Sequence, residues 1–282
     1  MMLDSATRPY RTGYLTVAGQ RLRYSVANEG RGEPLVLING IGATGDLYDT
    51  LRSHMGERET IAFDAPGVHR SPAPLFPLTM ADYADRVSGL ITGLGHSEVD
   101  LLGVSWGGAL AQEVAHRHPR KVRRLVLAAT TPGLGGALGR PAALALLMTP
   151  ARYYSPSYLR RIAPTLYGGA ILDHPELLEE HARVRNQGAP SPRGYLYQLL
   201  AISGFTSLHY LHRLRQPTLV LAGDDDPIIP LENGRRLAQH IPRSRLEIVA
   251  GGGHLFLFTR AAKMAQVIGD FLDEQRPDDA AP

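Results

Sequence analysis

The chain has 282 residues, 44% of them hydrophobic, which suits one α/β core carrying an insertion better than two separate domains. Thirty basic residues against 27 acidic leave a net charge of only +3, and the densest basic cluster, Arg120, Lys121, Arg123 and Arg124, has no interleaved aromatics, so it reads as a solvated loop and nucleic acid is set aside as a partner. Without cysteine there are no disulfides, thiol nucleophiles or cysteine metal sites, and because Asp4, Arg8 and Arg11 interrupt any signal-peptide core, the expectation is a soluble, cytoplasmic protein.

In chain order, the alternating segments Tyr14 to Val17 and Arg21 to Val26 flank Gly19-Gln20 and predict an antiparallel hairpin. Leu35 to Ile38, Ile61 to Phe63, Val99 to Val104, Val122 to Ala129, Leu219 to Ala222 and Leu246 to Val249 are apolar runs, several too continuous for strands buried on one face only. Helical patterns lie between most of them, at Leu47 to His54, Met80 to Leu94, Ala109 to His116, Leu231 to His240 and Ala261 to Leu272. This alternation predicts an α/β fold with a mostly parallel, doubly wound sheet.

The alternation breaks between Pro132 and Leu208, a spacing far longer than an ordinary connection. Residues 132–208 are therefore expected to form an inserted helical lid on a core made of 1–131 and 209–282. The longest apolar run there, Ala142 to Met148, falls well short of the ~20 residues that span a bilayer. The segment and its exit hold seven of the twelve tyrosines (Tyr153, Tyr154, Tyr158, Tyr167, Tyr195, Tyr197, Tyr210), which can offer apolar surface with polar tips or simply pack the lid on the sheet. Residues 275–282, rich in Asp, Ala and Pro, are expected to be disordered.

The strand Val99 to Val104 runs into Gly103-Val104-Ser105-Trp106-Gly107-Gly108 with a helical pattern directly after it, the context of a nucleophile elbow. Such a turn forces the serine into a strained conformation, and the residues two before and two after must be small; Gly103 and Gly107 are. A serine hydroxyl needs a base, and in this arrangement the order is serine, acid, histidine. Of eleven histidines, His254 follows the strand Leu246 to Val249 and Gly251-Gly252-Gly253, which puts it at the carboxyl end of the sheet with Ser105. The acid belongs on the loop Gly223-Asp224-Asp225-Asp226-Pro227, where Asp226 fits a Gly-x-x-Asp-x-x-x-Pro spacing and Asp225 is the competitor. Adjacent carboxylates on one loop splay apart, so no metal site is expected. An oxyanion would take the backbone N–H groups of Ile41 and Trp106.

The loop before Leu47 points elsewhere. Gly40-Ile41-Gly42-Ala43-Thr44-Gly45 is a complete G-x-G-x-x-G after a strand, and Asp64 ends the next strand about 20 residues on, as in a dinucleotide-binding Rossmann oxidoreductase. That reading leaves Ser105, Asp226 and His254 without a role, whereas a hydrolase uses the same glycines around its oxyanion, with no metal or organic cofactor.

Asn39-Gly40-Ile41-Gly42-Ala43, Phe63-Asp64-Ala65-Pro66-Gly67-Val68, the Gly103 to Gln112 elbow and Ala222 to Pro227 resemble intracellular medium-chain-length poly(3-hydroxyalkanoate) depolymerases of the α/β-hydrolase superfamily. So do the lid segments Pro156-Ser157-Tyr158, Arg161 to Pro164 and Tyr167 to Ala170, and Gly253 to Leu257. The resemblance implies Ser105 as nucleophile, Asp226 as acid and His254 as base, and as substrate a hydrophobic storage polyester attacked at granule surfaces. His69-Arg70 and Gly251-Gly252 depart from that pattern at loops expected near the rim of the site. Rival readings on the same residues are a carboxylesterase or lipase on small apolar esters, a lactonase, a carbon–carbon bond hydrolase, or a ligand-binding protein without turnover.

Overall fold

The computed structural model describes residues 10–275; the expected disordered tail lies, but for Gln275, outside the described residues, as do Asp4 and Arg8. Eight strands form one sheet: β1 Arg11–Val17, β2 Gln20–Ala27, β3 Leu35–Ile38, β4 Thr60–Phe63, β5 Val99–Val104, β6 Val122–Ala128, β7 Thr218–Gly223 and β8 Ser244–Val249. Their order is β1-β2-β4-β3-β5-β6-β7-β8, with β1, β2 and β4 paired antiparallel and every other pair parallel. The helices are α1 Asp49–Arg52, α2 Met80–Gly93, α3 Trp106–Arg117, α4 Pro141–Leu147, α5 Ala151–Tyr154, α6 Pro156–Tyr167, α7 Pro175–Gln187, α8 Pro192–Ser203, α9 Leu231–His240, α10 Phe256–Thr259 and α11 Ala261–Asp273.

Side chains alternate across a strand, so a sheet covered on both faces needs apolar residues at every position. Strands β3, β4 and β7 are buried throughout. Val36, Ile38, Leu101, Leu125 and Val220 pack on one face with Tyr83, Val87, Leu110 and Val114 from α2 and α3. Leu35, Leu37, Leu102, Val126 and Leu221 pack on the other with Leu51 of α1 and Met264, Ile268 and Phe271 of α11. Helix α2 starts where Thr79 and Asp82 cap one another reciprocally, satisfying amides that would otherwise lack partners.

Two expectations are corrected. Val17 pairs with Gln20, so the hairpin turn is Ala18-Gly19, one residue earlier than the Gly19-Gln20 reading; both have positive φ, 46° and 74°, which matches the twist of a two-residue hairpin. The basic cluster is a solvated loop only in part: Arg120 and Lys121 lie in an unburied turn, but Arg123 and Arg124 stand in β6, Arg124 is buried, and Arg123 donates to both oxygens of buried Asp100. Sequence proximity of like charges hid carboxylate partners that lie far along the chain.

The interval between β6 and β7 holds α4 to α8, which carry a small core of their own. Ala143, Leu159, Ile162, Leu166 and Leu178 cluster there and meet Ile228 and Leu255 from the loops after β7 and β8. This helical insertion therefore rests on the carboxyl end of the sheet, where strand-end loops gather.

Candidate active site

Ser105 closes β5 and opens α3 at φ 57° and ψ −120°, a conformation that favours glycine. Three close approaches hold it there. A Cβ on Gly103 would lie 2.3 Å from the Gly107 carbonyl oxygen, one on Gly107 2.1 Å from that of Ile38, and one on Gly108 2.5 Å from the Thr130 side chain. Thr130 also donates its hydroxyl to the Ser105 carbonyl at 2.6 Å. Because backbone opposes Gly107, Gly107→Ala should cost about 3 kcal/mol or more and lower the melting temperature by roughly 6 to 12 °C. A melt unchanged by this substitution would contradict the packing described.

The three adjacent aspartates separate by their partners. Asp226 is buried: its Oδ2 lies 2.7 Å from His254 Nδ1, and its Oδ1 accepts the backbone N–H groups of Ile228 and Ile229 at 2.8 and 2.9 Å. Asp225 turns to the insertion, accepting Gly169 N–H at 2.8 Å, and Asp224 accepts Gly251 N–H at 2.6 Å. His254 is fixed from behind by its own N–H, which donates to the Tyr167 carbonyl at 2.7 Å.

Ser105 and His254 line one cavity under the insertion, together with Gly40, Ile41 and a largely apolar wall that includes Leu47, Leu51, Leu147, Ile228 and Leu257. Among the described residues, neither the Ser105 hydroxyl nor the backbone N–H groups of Ile41 and Trp106 have a hydrogen-bond partner. Free amides beside a free hydroxyl are what acyl transfer requires, since a tetrahedral intermediate needs donors that are not already engaged. Gly40 lets the loop approach: a Cβ there would stand 3.5 Å from that of Ser105.

That loop is clamped by Gln198, which the sequence did not single out, and by Tyr153 and Asn39, which it named without this role. Gln198 of α8 accepts Gly42 N–H at 2.7 Å, the Tyr153 hydroxyl of α5 donates to the Ile41 carbonyl, and Asn39 bridges Gly40 N–H and the Thr44 carbonyl. Asp64, the residue that completed the dinucleotide pattern, accepts from Thr44 Oγ1 and Gly45 N–H, both at 2.9 Å, and faces Arg23. Its carboxylate and the Gly45 amide thus serve the loop itself, and the element that follows is one turn of 3-10 helix and the four-residue α1 rather than a long helix with a phosphate-binding N-terminus. His69-Arg70 and Gly251-Gly252 do not contribute to the cavity wall: His69 N–H bonds to Ala189 O, and Gly252 O accepts Asp225 N–H beneath the acid loop.

The insertion brings a further polar group to the same cavity. Arg152, His181 and Arg185 are all buried and line it with Tyr167. Arg185 Nε–H donates to His181 Nε2 at 2.5 Å, so the neutral ring carries its proton on Nδ1; burial first, then the two arginines, push its pKa well below the usual histidine value.

The sheet, the strained serine and the histidine–carboxylate pair define a class. The model of the α/β-hydrolase fold family matches residues 33–261, and the chain belongs to that family. More particularly, it is 46% identical over 245 residues to the poly(3-hydroxyalkanoate) depolymerase of Ectopseudomonas oleovorans, covering 86% of this chain and 85% of that one. It is also 30% identical over 277 residues to a 2-hydroxymuconate semialdehyde hydrolase of Pseudomonas sp. (strain CF600), covering 90% and 91%. Among solved structures, a hydrolase from Pseudomonas aeruginosa PA01 superposes with a TM-score of 0.79 at 25% identity, covering 94% of this chain and 99% of that one. The fold is shared too with an esterase from Exiguobacterium antarcticum, TM-score 0.81 at 22% identity over 94% and 100%.

Proposed function

We propose that the protein is a serine hydrolase that cleaves ester bonds of poly(3-hydroxyalkanoate), preferring medium-length side chains. The observation that carries the reading is the cavity in which Ser105, its hydroxyl unengaged, meets Ile41 and a His254 whose Nδ1 is paired from behind with Asp226. Ser105 attacks the ester carbonyl while His254 accepts its proton; the oxyanion is held by Ile41 and Trp106 N–H; as the acyl carbon–oxygen bond breaks His254 gives that proton to the leaving alkoxide oxygen, and water releases the acyl group by the same steps. Asp226 orients the imidazole. The 46% identity to a poly(3-hydroxyalkanoate) depolymerase supports the polymer as substrate.

The insertion acts as a lid over this cavity. Among the described helices none is long and apolar enough to cross a membrane. A granule-facing surface is instead supported by exposed apolar side chains: Leu196 and Leu200 are one turn apart on α8, and the Tyr197 hydroxyl between them bonds to the carbonyl of Leu75, which like Phe76 is more than three-quarters exposed. Solvent-exposed apolar clusters of this kind mark contact surfaces. The enzyme would thus work on cytoplasmic storage granules.

The apolar wall predicts chain-length preference, because each CH₂ moved out of water contributes about 0.8 kcal/mol. Suspensions of medium-chain-length polymer should clear faster than poly(3-hydroxybutyrate), and p-nitrophenyl octanoate should be a better substrate than the acetate. Turnover of small soluble esters with neither polymer touched would refute the depolymerase and favour a general esterase; faster clearing of the short-chain polymer would overturn the specificity alone.

A further inference from the structure

Two cations stand in the cavity without an anion. Arg152 on α5 and Arg185 on α7 are 3% and 7% exposed, and among the described residues neither forms an ion pair. The buried acid of the site, Asp226, is taken up by His254 and two amides, and no carboxylate lines the cavity. Donors are left over as well: Arg152 Nε, Arg185 Nη1, His181 Nδ1 and the Tyr167 hydroxyl are buried with no hydrogen-bond partner. Both guanidiniums lie 4.8 Å from the ring centre of Tyr153, and Arg185 also approaches Tyr167. Aromatic faces ease the burial of a cation, but they do not neutralise it or satisfy N–H groups.

Two guanidiniums and a neutral N–H donor, all buried and lining one cavity, match the two oxygens of a carboxylate, which a guanidinium fork binds with charge-assisted hydrogen bonds. The position indicates which carboxylate. Part of the cluster borders His254: the His254 N–H is bonded to Tyr167, and Tyr167 touches both His181 and Arg185. His254 serves the oxygen of the departing alcohol. In a polymer of 3-hydroxy acids that alcohol, when it is the last unit of the chain, bears a free carboxylate two carbons from the carbon–oxygen bond's oxygen.

The geometry points to a carboxylate-binding subsite in which Arg152 and Arg185, with His181 Nδ1–H and the Tyr167 hydroxyl, hold the carboxyl terminus of a poly(3-hydroxyalkanoate) chain, so that the enzyme removes 3-hydroxy acids one at a time from that end. This rests on the depolymerase reading. Chemically each cycle adds one water across the terminal ester: the acyl carbon–oxygen bond breaks, the proton on His254 goes to the leaving oxygen, and the freed 3-hydroxyalkanoate departs still carrying its carboxylate.

The test uses the ester-linked dimer of 3-hydroxyoctanoate as its free acid and as its methyl ester. Wild-type enzyme should prefer the acid in kcat/KM by about tenfold to a hundredfold, the range of a charge-assisted hydrogen-bond pair. Equal rates on the two would overturn the subsite without any mutant being made. In Arg152→Gln and Arg185→Gln, with folding checked by thermal melting, the acid-to-ester ratio should fall towards one through a rise in KM for the acid; an undiminished ratio in both folded variants would also overturn it. If neither dimer is cut while p-nitrophenyl octanoate turns over, the depolymerase reading fails by itself. The subsite is then decided by inhibition of p-nitrophenyl octanoate hydrolysis: 3-hydroxyoctanoate inhibiting far better than its methyl ester sustains an anion site, and equal inhibition removes it.

Discussion

Ser105→Ala will lower turnover of p-nitrophenyl octanoate by roughly 10⁴- to 10⁶-fold, the scale seen when an acyl-enzyme nucleophile is removed. The loss should not reflect unfolding. The Ser105 hydroxyl has no hydrogen-bond partner among the described residues, so its removal takes no contact from the fold. The backbone makes a second, opposite prediction about stability. At φ 57° and ψ −120° the serine Cβ is strained, and Ser105→Gly should relieve about 1 kcal/mol, raising the melting temperature by about 2 to 4 °C in a chain of this size while abolishing activity. A stabilised, inactive glycine variant is the behaviour of a site that holds strain in order to present one hydroxyl. Near-normal ester hydrolysis by Ser105→Ala would sink the mechanism, and labelling of Ser105 by a fluorophosphonate with no ester turnover would favour a ligand-binding protein in its place.

Much of the frame was legible because it depends on local pattern. Continuous apolar runs became β3 to β7, the glycines around Ser105 became the contacts that a Cβ would close, and the long interval between β6 and β7 became α4 to α8. The choice among Asp224, Asp225 and Asp226 rested on spacing alone, since neighbouring carboxylates look alike until their partners are known. What the sequence hid was long-range. Gln198 reaches Gly42 across 156 residues, and Arg123 finds Asp100 across 23, so neither pairing leaves a periodic trace. Arg152 and Arg185 belong to the same kind. On helical patterns they look like solvated charges, and only the burial of α5 and α7 against the sheet's carboxyl end makes them residents of the cavity.

Asp226→Asn is expected to lower kcat by roughly 10⁴-fold with the fold intact, through the tautomer of His254. The carboxylate uses its two oxygens differently. Oδ1 accepts two backbone N–H groups, from Ile228 and Ile229, and Oδ2 faces His254 Nδ1 at 2.7 Å. An asparagine here cannot turn its NH₂ towards Ile228 and Ile229, because donors would then face donors in a buried site. Its oxygen must take the Oδ1 place, and its NH₂ must point at the imidazole. His254 Nδ1 is then forced to accept, the ring proton moves to Nε2, and the nitrogen that should take the serine proton already carries one. Asp225→Asn removes charge from a loop contact with Gly169 and Arg140, and Asp224→Asn from one with Gly251; both should stay within about tenfold of wild type, because neither carboxylate touches His254. Steady-state rates on p-nitrophenyl octanoate, with circular dichroism as a control on folding, separate the three. Should Asp225→Asn prove the damaging change and Asp226→Asn the mild one, the acid has been assigned one residue too late and the orientation of His254 described here is wrong.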